Sequence, residues 1–292
     1  MPKPRELRRR IRSIQNTRKI TKTMELVATS KLKRAQDRVI AARPYAAALS
    51  EVMGDLYAPE LAERFPLLRQ PAGPLRRVAL LLITANRGLC GAFNANLIRE
   101  ARRRIEALEG GGAAVDLHLV GKKGISYFKF AKRALASQRI DIGDKPTATH
   151  AVELVTPLVA QFEAGTVDAV DVVFAQFKSA VSTPPTVVRI LPVTPPQTAG
   201  RSGAHTVNYL LRPSADAILA QLLPLYVRNQ VYRALVETAA AFLGAQRTAM
   251  KNATDNAGDL LDVLRRTYNR ARQAQITQEL GEIVGGAEAL KG

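Results

Sequence analysis

Residues 7–56 read LRRRIRSIQNTRKITKTMELVATSKLKRAQDRVIAARPYAAALSEVMGDL, and this stretch decides the architecture of the chain. Apolar residues, many of them alanine, recur along it at alternating intervals of four and three residues, for about seven heptads. The seam positions are Leu7, Ile11, Ile14, Arg18, Thr21, Glu25, Ala28, Leu32, Ala35, Val39, Ala42, Ala46, Leu49, Met53 and Leu56. Polar side chains interrupt the seam only at Arg18, Thr21 and Glu25, which lie close together. The pattern predicts a long N-terminal coiled-coil helix over residues 1–57.

Few residues in this stretch disfavour a helix. No glycine precedes Gly54, and Pro44 is the one proline after Pro4. Because proline removes a backbone hydrogen bond and crowds the preceding turn, we expect the helix to bend at Pro44. At 1.5 Å per residue the helix would be roughly 80 Å long, which is more than a globular domain needs.

The middle of the chain, residues 74–213, has a different pattern. Residues 78–84 (VALLLIT) form a continuous apolar run, which is typical of a fully buried parallel strand. Further strands are predicted at 115–121, 168–178 and 186–193, and helices at 94–108, 124–135 and 150–164. Strands that alternate with helices predict a central Rossmann-like α/β domain with a mostly parallel sheet.

The last segment, residues 214–292, is again helical. An apolar stripe at intervals of three or four residues runs from Leu219 to Ile276, and Ser214 is a candidate N-cap. The middle domain is too small to cover the apolar stripes of both terminal helices. We therefore expect the N- and C-terminal helices to pair as a long antiparallel coiled coil, which gives an α/β fold class with a two-helix coil.

The net charge of +18 is concentrated near the N-terminus, where residues 1–43 hold 14 Lys and Arg against 3 acidic residues. Such a segment implies an acidic partner, either nucleic acid, anionic lipid or an acidic protein surface. No aromatic residue precedes Tyr45, so the segment offers no stacking platform for nucleic-acid bases. The interleaving of basic and apolar residues favours the outer face of a coiled coil.

Targeting signals and disulfides are not expected. No apolar run approaches the length of a transmembrane helix, and no apolar core follows the basic N-terminus. Cys90 is the single cysteine, which fits a reducing compartment. We expect a protein of the cytosolic side.

The candidate chemical motifs are weak. Residues 84–91 (TANRGLCG) join a buried strand to a helix, where phosphate often binds, but they lack both the GxGxxG and the Walker patterns. A tight turn with structural glycines is the better interpretation, and a strand-ending turn explains residues 121–124 (GKKG). Cys90 has no histidine at a suggestive spacing, since His118, His150 and His205 are scattered. We expect a buried inert thiol, no catalytic residue, no metal and no cofactor.

The far C-terminus places polar groups around a helix, namely Asn269, Arg272, Gln273 and Thr277. A helix with only one partner needs no such arrangement. This segment is therefore expected to contact other chains on several sides.

Four motifs resemble one family. Residues 11–32 (IRSIQNTRKITKTMELVATSKL), 42–45 (ARPY), 87–91 (RGLCG) and 268–280 (YNRARQAQITQEL) resemble the gamma subunit of F-type ATP synthases. The resemblance extends over essentially the whole chain, and its terminal motifs are highly specific. The inserted cysteine pair of plant chloroplast members is missing, and no transit peptide is visible, which favours a bacterial source.

The resemblance implies a rotor shaft, one copy per complex, inside a hexamer of alternating alpha and beta subunits. Its lower part would sit on the membrane c-ring beside the epsilon subunit, at the cytoplasmic face of the bacterial plasma membrane. The positions that match the family's rotor–beta contact and coupling motif are Met24, Arg272, Gln273 and Thr277. The chain would carry no catalytic residue and no cofactor, because substrate chemistry would stay in the beta subunits.

Two other functions remain open from the residues alone. One is a nucleotide-binding α/β enzyme with helical arms, against which the missing glycine fingerprint argues. The other is a basic coiled-coil adaptor for nucleic acid, whose binding would weaken steeply with salt.

Overall fold

The computed structural model describes residues 4–56, 64–71, 73–194 and 215–289. Two compact units make up the chain, one of residues 1–28 with 246–292, called the coil unit here, and one of residues 29–245, called the sheet unit. The elements in chain order are α1 (Pro4–Leu56), a 3-10 turn (Pro66–Leu68), β1 (Arg77–Ile83), α2 (Phe93–Gly110), β2 (Ala114–Val120), α3 (Lys122–Phe130), β3 (Ser137–Arg139), α4 (Ala148–Glu163), β4 (Ala169–Ala175), β5 (Pro185–Leu191) and α5 (Ala215–Ala289).

In the coil unit, the start of α1 and the end of α5 pack as an antiparallel pair. Arg8 meets Tyr268 and Thr21 meets Thr254, so residue numbers rise along one helix as they fall along the other. Small and apolar side chains fill the seam, namely Leu7, Ala28, Met250, Ala257, Leu261 and Ala271. The predicted antiparallel coiled coil is confirmed.

In the sheet unit, five strands lie in the order β3-β2-β1-β4-β5. Strand β1 is parallel to β2 and β4, and β2 is parallel to β3, whereas β5 runs antiparallel to β4. The predicted α/β fold with a mostly parallel sheet is therefore confirmed. Strand β3 was not predicted, because a three-residue edge strand with exposed side chains has no apolar periodicity.

Strand β1 is buried on both faces, which explains its continuous apolar run. Leu80 and Leu82 belong to one layer of the core, with α2. Leu81 and Ile83 belong to the opposite layer, with α4 and the start of α5. This alternation follows from the two-residue period of a strand and puts helices on both sides of the sheet.

Helix α1 is continuous through Pro44, so this proline does not end the helix. The predicted helix 124–135 lies at Lys122–Phe130, and the predicted strand 168–178 lies at Ala169–Ala175. Ser214, the candidate N-cap, lies outside the described residues, and the division into 1–57, 74–213 and 214–292 stays a prediction. Within the described ranges, no helix combines the length and the hydropathy needed to cross a membrane.

Candidate functional site

The place where an open α/β sheet usually binds a ligand is filled by protein in the sheet unit. The strand order reverses between β1 and β4, and ligands commonly bind at the carboxyl ends of strands at such a point. Here Thr238 of α5 accepts a hydrogen bond from the Ala175 N–H (3.3 Å), and Glu237 accepts one from the Phe177 N–H (3.1 Å). A cavity beside Thr238, at the carboxyl ends of β1 and β2, measures about 40 Å³, which is too small for a nucleotide.

The turn over residues 84–91 is held by contacts within the protein. The Thr84 side chain accepts a hydrogen bond from the Gly124 N–H at 3.0 Å. A Cβ atom at Gly121 would lie 2.1 Å from the Thr84 carbonyl oxygen, and Gly121 has a φ of +98°, so only glycine fits there. Leu89 and Gly91 also have positive φ values, 60° and 58°. The prediction of tight turns with structural glycines is confirmed at Gly91 and Gly121.

The basic residue of this turn has partners on two sides. Arg87 forms an ion pair with Asp144, and its guanidinium carbon lies 5.7 Å from the centre of the Phe242 ring on α5. Lys31 of α1 lies 3.4 Å from the same Asp144 carboxylate. Through Arg87, the turn is therefore linked to α5 directly and to α1 by way of Asp144.

Cys90 is a buried thiol, as predicted, with 3% of its surface exposed. Asn94 donates a hydrogen bond from Nδ2 to its Sγ at 3.2 Å. Burial raises the pKa of the thiol, because a thiolate loses its hydration there. A protonated, buried thiol is a poor nucleophile.

The histidines serve local structure. His118 Nδ1 lies 2.7 Å from Ser137 Oγ, and burial lowers the pKa of its imidazole. His150 completes a capping box with Thr147 at the start of α4, while His205 lies outside the described residues. In the described part of the chain, no three His, Cys, Asp or Glu side chains form a cluster that fits a metal.

A separate groove of about 480 Å³ lies in the sheet unit. It lies beside α1, α4 and α5, and its lining residues are Arg38, Ala41, Ala42, Tyr45, Ala148, Ala151, Val152, Leu225, Arg228, Asn229 and Tyr232. None of these side chains is an acid, a cysteine or a histidine, so this groove carries no acid–base pair or thiol nucleophile.

The C-terminal candidate residues share one exposed stretch of α5 in the coil unit. Arg272, Gln273 and Thr277 are all exposed. The Thr277 hydroxyl donates to the Gln273 carbonyl oxygen at 3.0 Å, as expected one helical turn apart. Their side chains are therefore available to other molecules.

Met24 lies elsewhere along the coil and is half-buried. Thr21 faces Thr254, and Arg8 faces Tyr268 further along the coil. Met24 and Arg272 both lie outside the stretch between these two pairs, Met24 beyond the Thr21 end and Arg272 beyond the Tyr268 end. At 1.5 Å per residue, about 30 Å along the coil separate Met24 from Arg272. The structure does not bring the four candidate residues into one site.

Beyond Ala271 the described side chains of α5, through Ala287, are all exposed. Four of them form an apolar stripe at helical spacing, namely Ile276, Leu280, Ile283 and Val284, with 47–67% of their surface exposed. Ile276 was predicted to belong to the coiled-coil stripe, and that prediction is wrong because its side chain is exposed. The helical spacing of this stripe was visible in the sequence, but the exposure of its side chains was not.

The polar interruption of the seam is a packed layer beside Met24. The Thr21 and Thr254 hydroxyl oxygens lie 2.8 Å apart, and both residues are buried. The Arg18 guanidinium lies against Gly258 on the facing helix, and Glu25 pairs with Lys22 at 3.1 Å. A polar layer in an apolar seam fixes which residues face each other.

Comparison with solved structures identifies the fold. A chain of the Euglena gracilis mitochondrial ATP synthase (OSCP/F1/c-ring, rotational state 3) superimposes with a TM-score of 0.68 at 19% identity, covering 98% of this chain and 94% of that chain. A chain of the Tetrahymena thermophila mitochondrial ATP synthase central stalk and c-ring gives a TM-score of 0.59 at 24% identity, covering 80% and 99%.

Sequence comparison identifies the family. The ATP synthase gamma chain of Gemmatimonas aurantiaca is 64% identical over 292 residues and covers 100% of both chains. Those of Moorella thermoacetica and Leptospira biflexa are 45% and 43% identical, covering 98% and 99% of this chain and 99% and 100% of their own. A family model described as ATP synthase matches residues 3–290. The chain therefore belongs to the gamma chain family of the F-type ATP synthases.

Proposed function

We propose that this chain is the central-stalk rotor of an F-type ATP synthase, and that it couples ion flow through the membrane sector to ATP synthesis or hydrolysis at the beta subunits. The observation that carries the proposal is the exposure of the side chains at the end of α5. A helix that exposes Ile276, Leu280 and Ile283 beside Arg272 and Gln273 has apolar and polar groups that the described residues of its chain leave uncovered. Other chains that surround the shaft would cover them.

The coupling mechanism follows from symmetry. Three chemically identical beta sites differ only when something asymmetric touches each of them differently. A single shaft without a repeat makes a different contact with each site, and its rotation passes each contact to the next site. The affinity of each site for its ligand then changes, because the shaft stabilises a different beta conformation at each angle.

The partners follow from this role. They are the alpha and beta subunits of the F1 hexamer, the epsilon subunit and the membrane c-ring, with one copy of this chain per complex. The first part of α1 presents exposed basic side chains, namely Arg5, Arg9, Arg10, Arg12 and Lys19. Such a surface suits acidic loops of a partner protein, and we propose no nucleic-acid partner.

Met24, Arg272, Gln273 and Thr277 are the proposed contacts to the beta subunits. Because about 30 Å separates Met24 from Arg272 along the coil, we assign them to two levels of contact. The exposed amide and guanidinium groups of Gln273 and Arg272 suit polar loops, whereas the half-buried Met24 suits a contact near the seam.

The chemistry of ATP is assigned to the other subunits, so this chain is proposed to be a non-catalytic component with no cofactor. The filled crevice beside Thr238 and Glu237 supports this assignment. The assembled complex would hold the chain at the cytoplasmic face of the bacterial plasma membrane, as a peripheral subunit.

A nucleotide-binding enzyme is the main competing function, and the crevice of about 40 Å³ counts against it. A nucleotide-affinity measurement on the isolated chain tests this function, and a salt-titrated DNA-binding assay tests the nucleic-acid adaptor.

Reconstitution tests the rotor function directly. The chain is combined with alpha, beta and epsilon subunits, a c-ring and the remaining membrane sector in proteoliposomes, and ATP-driven proton pumping is followed. We expect pumping only when this chain is present. Pumping at the same rate without it, or failure of the chain to co-purify with alpha and beta, contradicts the proposal.

A further inference from the structure

The segment that follows strand β4 is hydrogen-bonded to both long helices within the sheet unit. Phe177 follows β4, and its N–H donates to Glu237 Oε2 of α5 at 3.1 Å. Its carbonyl oxygen accepts from the Arg43 guanidinium of α1 at 3.4 Å. A single peptide segment at the carboxyl end of β4 is thus hydrogen-bonded to both α5 and α1.

Glu237 is built into this contact. Only 2% of its surface is exposed, and its second carboxylate oxygen accepts from Arg233 Nε at 2.7 Å. Both oxygens of the buried carboxylate are therefore occupied, one by the helix and one by the strand. Removing such a group leaves the Phe177 N–H and the Arg233 guanidinium without their partner.

Two further contacts of α5 fall on the same segment. Thr238, the next residue, accepts from the Ala175 N–H at 3.3 Å. Two helical turns on, a Cβ atom at Gly244 would lie 3.0 Å from the Ala180 carbonyl oxygen, in the connection between β4 and β5. The helix thus touches the end of β4 and the following connection, and a Cβ atom at Gly244 would fit only if the Ala180 carbonyl moved by a few tenths of an ångström.

We infer that these contacts form a mechanical joint that transmits torque between the sheet and the parts of α1 and α5 that pack on it within the sheet unit, with Glu237 as its positioning residue. The inference rests on the proposed rotor function. Force applied to the sheet reaches the helices through the contacts between them, and the joint supplies directional, charge-assisted bonds where apolar packing alone permits sliding. The crevice that binds ligands in other α/β proteins is used here to hold a helix.

The experiment uses the full complex in proteoliposomes, with Glu237→Leu, Glu237→Gln and Gly244→Ala compared with wild type. Glu163→Leu is the control, because it removes an exposed carboxylate from the same unit. Three quantities are measured for each variant, namely subunit content, ATPase rate and protons pumped per ATP hydrolysed. Hydrogen exchange at Phe177 and Ala175 in the full chain reports opening of the joint.

We expect Glu237→Leu to assemble and hydrolyse ATP while fewer protons are pumped per ATP. The reason is that the helices would turn while less of their torque reached the sheet. Glu237→Gln keeps an acceptor for Phe177 and should fall between Glu237→Leu and wild type, and the control should match wild type. Gly244→Ala leaves the Phe177 bond in place, so faster exchange there would show that the joint opens as a unit. The exchange rate should rise about tenfold or more when a charged bond is lost.

The inference is overturned if Glu237→Leu and Gly244→Ala both assemble and pump as many protons per ATP as wild type. It is also overturned if ATPase and pumping fall in proportion, since that pattern marks a purely structural residue. If Glu237→Leu does not assemble, Gly244→Ala and Glu237→Gln decide by the same criteria. Failure of the wild-type chain to support pumping is a different result, because it removes the proposed rotor function itself.

Discussion

The hydroxyl oxygens of Thr21 and Thr254 lie 2.8 Å apart, although 233 positions separate the two residues in the chain. Thr21 also reaches the Arg18 carbonyl oxygen at 3.1 Å, and Thr254 reaches that of Met250 at 2.8 Å. When one threonine donates its proton to the other, the second hydroxyl can still donate to its own backbone carbonyl oxygen, and this holds in both directions. This pair sets the register of the antiparallel coil.

Energetic coupling between these threonines is the first prediction. Thr254→Val and Thr21→Val should each reduce the free energy of local opening by about 1 kcal/mol, because a buried hydroxyl loses its partner. The double variant should cost less than the sum of the two, since both polar groups are then gone. Hydrogen exchange of the α5 amides around Thr254 measures the free energies. Strictly additive costs would contradict a direct bond.

The register itself can be trapped as a disulfide. In a Cys90→Ser background, Thr21→Cys with Thr254→Cys should oxidise to an intrachain bond, because the two Oγ atoms already lie 2.8 Å apart. Thr21→Cys with Leu261→Cys is the matched control, since seven residues add about 10 Å along the helix. Non-reducing gel mobility and mass spectrometry distinguish the products. Equal oxidation of both pairs would mean that the register is not fixed.

The two proposed levels of contact with beta should be separable. Replacing Arg272, Gln273 and Thr277 by alanine keeps the helix and should lower ATPase and ATP-driven pumping in an assembled complex, because charge-assisted bonds contribute about 1.5–3 kcal/mol each. Met24→Lys should instead reduce pumping per ATP hydrolysed, by adding an attraction to acidic loops of beta.

Because about 30 Å separates Met24 from Arg272, the free-energy effects of the two changes should add when they are combined. Alanine at Arg265, Arg266 and Thr267 is the control, since these exposed residues of α5 also carry guanidinium and hydroxyl groups but lie outside the motif. Normal rates in both test variants, or equal losses in the control, would reject the assignment of these residues.

Cys90 should be slow to react and dispensable. Burial raises the pKa of the thiol, so at pH 8 the native chain should be alkylated at least about tenfold more slowly than the unfolded chain. A raised pKa in the folded state favours the protonated thiol, so its contribution to stability is present at neutral pH and is lost as the pH rises through the folded pKa. Cys90→Ala should leave pumping unchanged. Rapid native alkylation, or loss of pumping with the fold intact, would disagree with this prediction.

An ion triad centred on the buried Asp171 links β4 to α2 and β5. Asp171 of β4 is fully buried and accepts from Arg104 of α2 at 2.8 and 2.6 Å and from Arg189 of β5 at 2.8 Å. Asp171→Ala leaves two partly exposed guanidinium groups without their carboxylate, so we expect a loss of about 3 kcal/mol of stability, the lower end for a broken buried pair. Thermal unfolding of the full chain measures the loss. Glu163→Ala, at an exposed acid in the same unit, should change the unfolding temperature little.

Local patterns determined much of this protein in advance. The alternating spacing from Leu7 to Leu56 predicted α1, and the run over residues 78–84 predicted a strand buried on both faces. The terminal motifs also identified the family. Each of these features is a property of a short stretch of chain, where periodicity and residue type are sufficient.

Only the tertiary structure decided how those elements meet. Spacing did not show that Thr21 faces Thr254, that Glu237 and Thr238 bond to the segment at the end of β4, or that the side chains beyond Ala271 are exposed in the described part of α5. Register and cavity filling depend on contacts between residues far apart in sequence, and a periodic seam pairs almost equally well one heptad along. Polar contacts at single positions select one arrangement, and they exist only once the chain has folded.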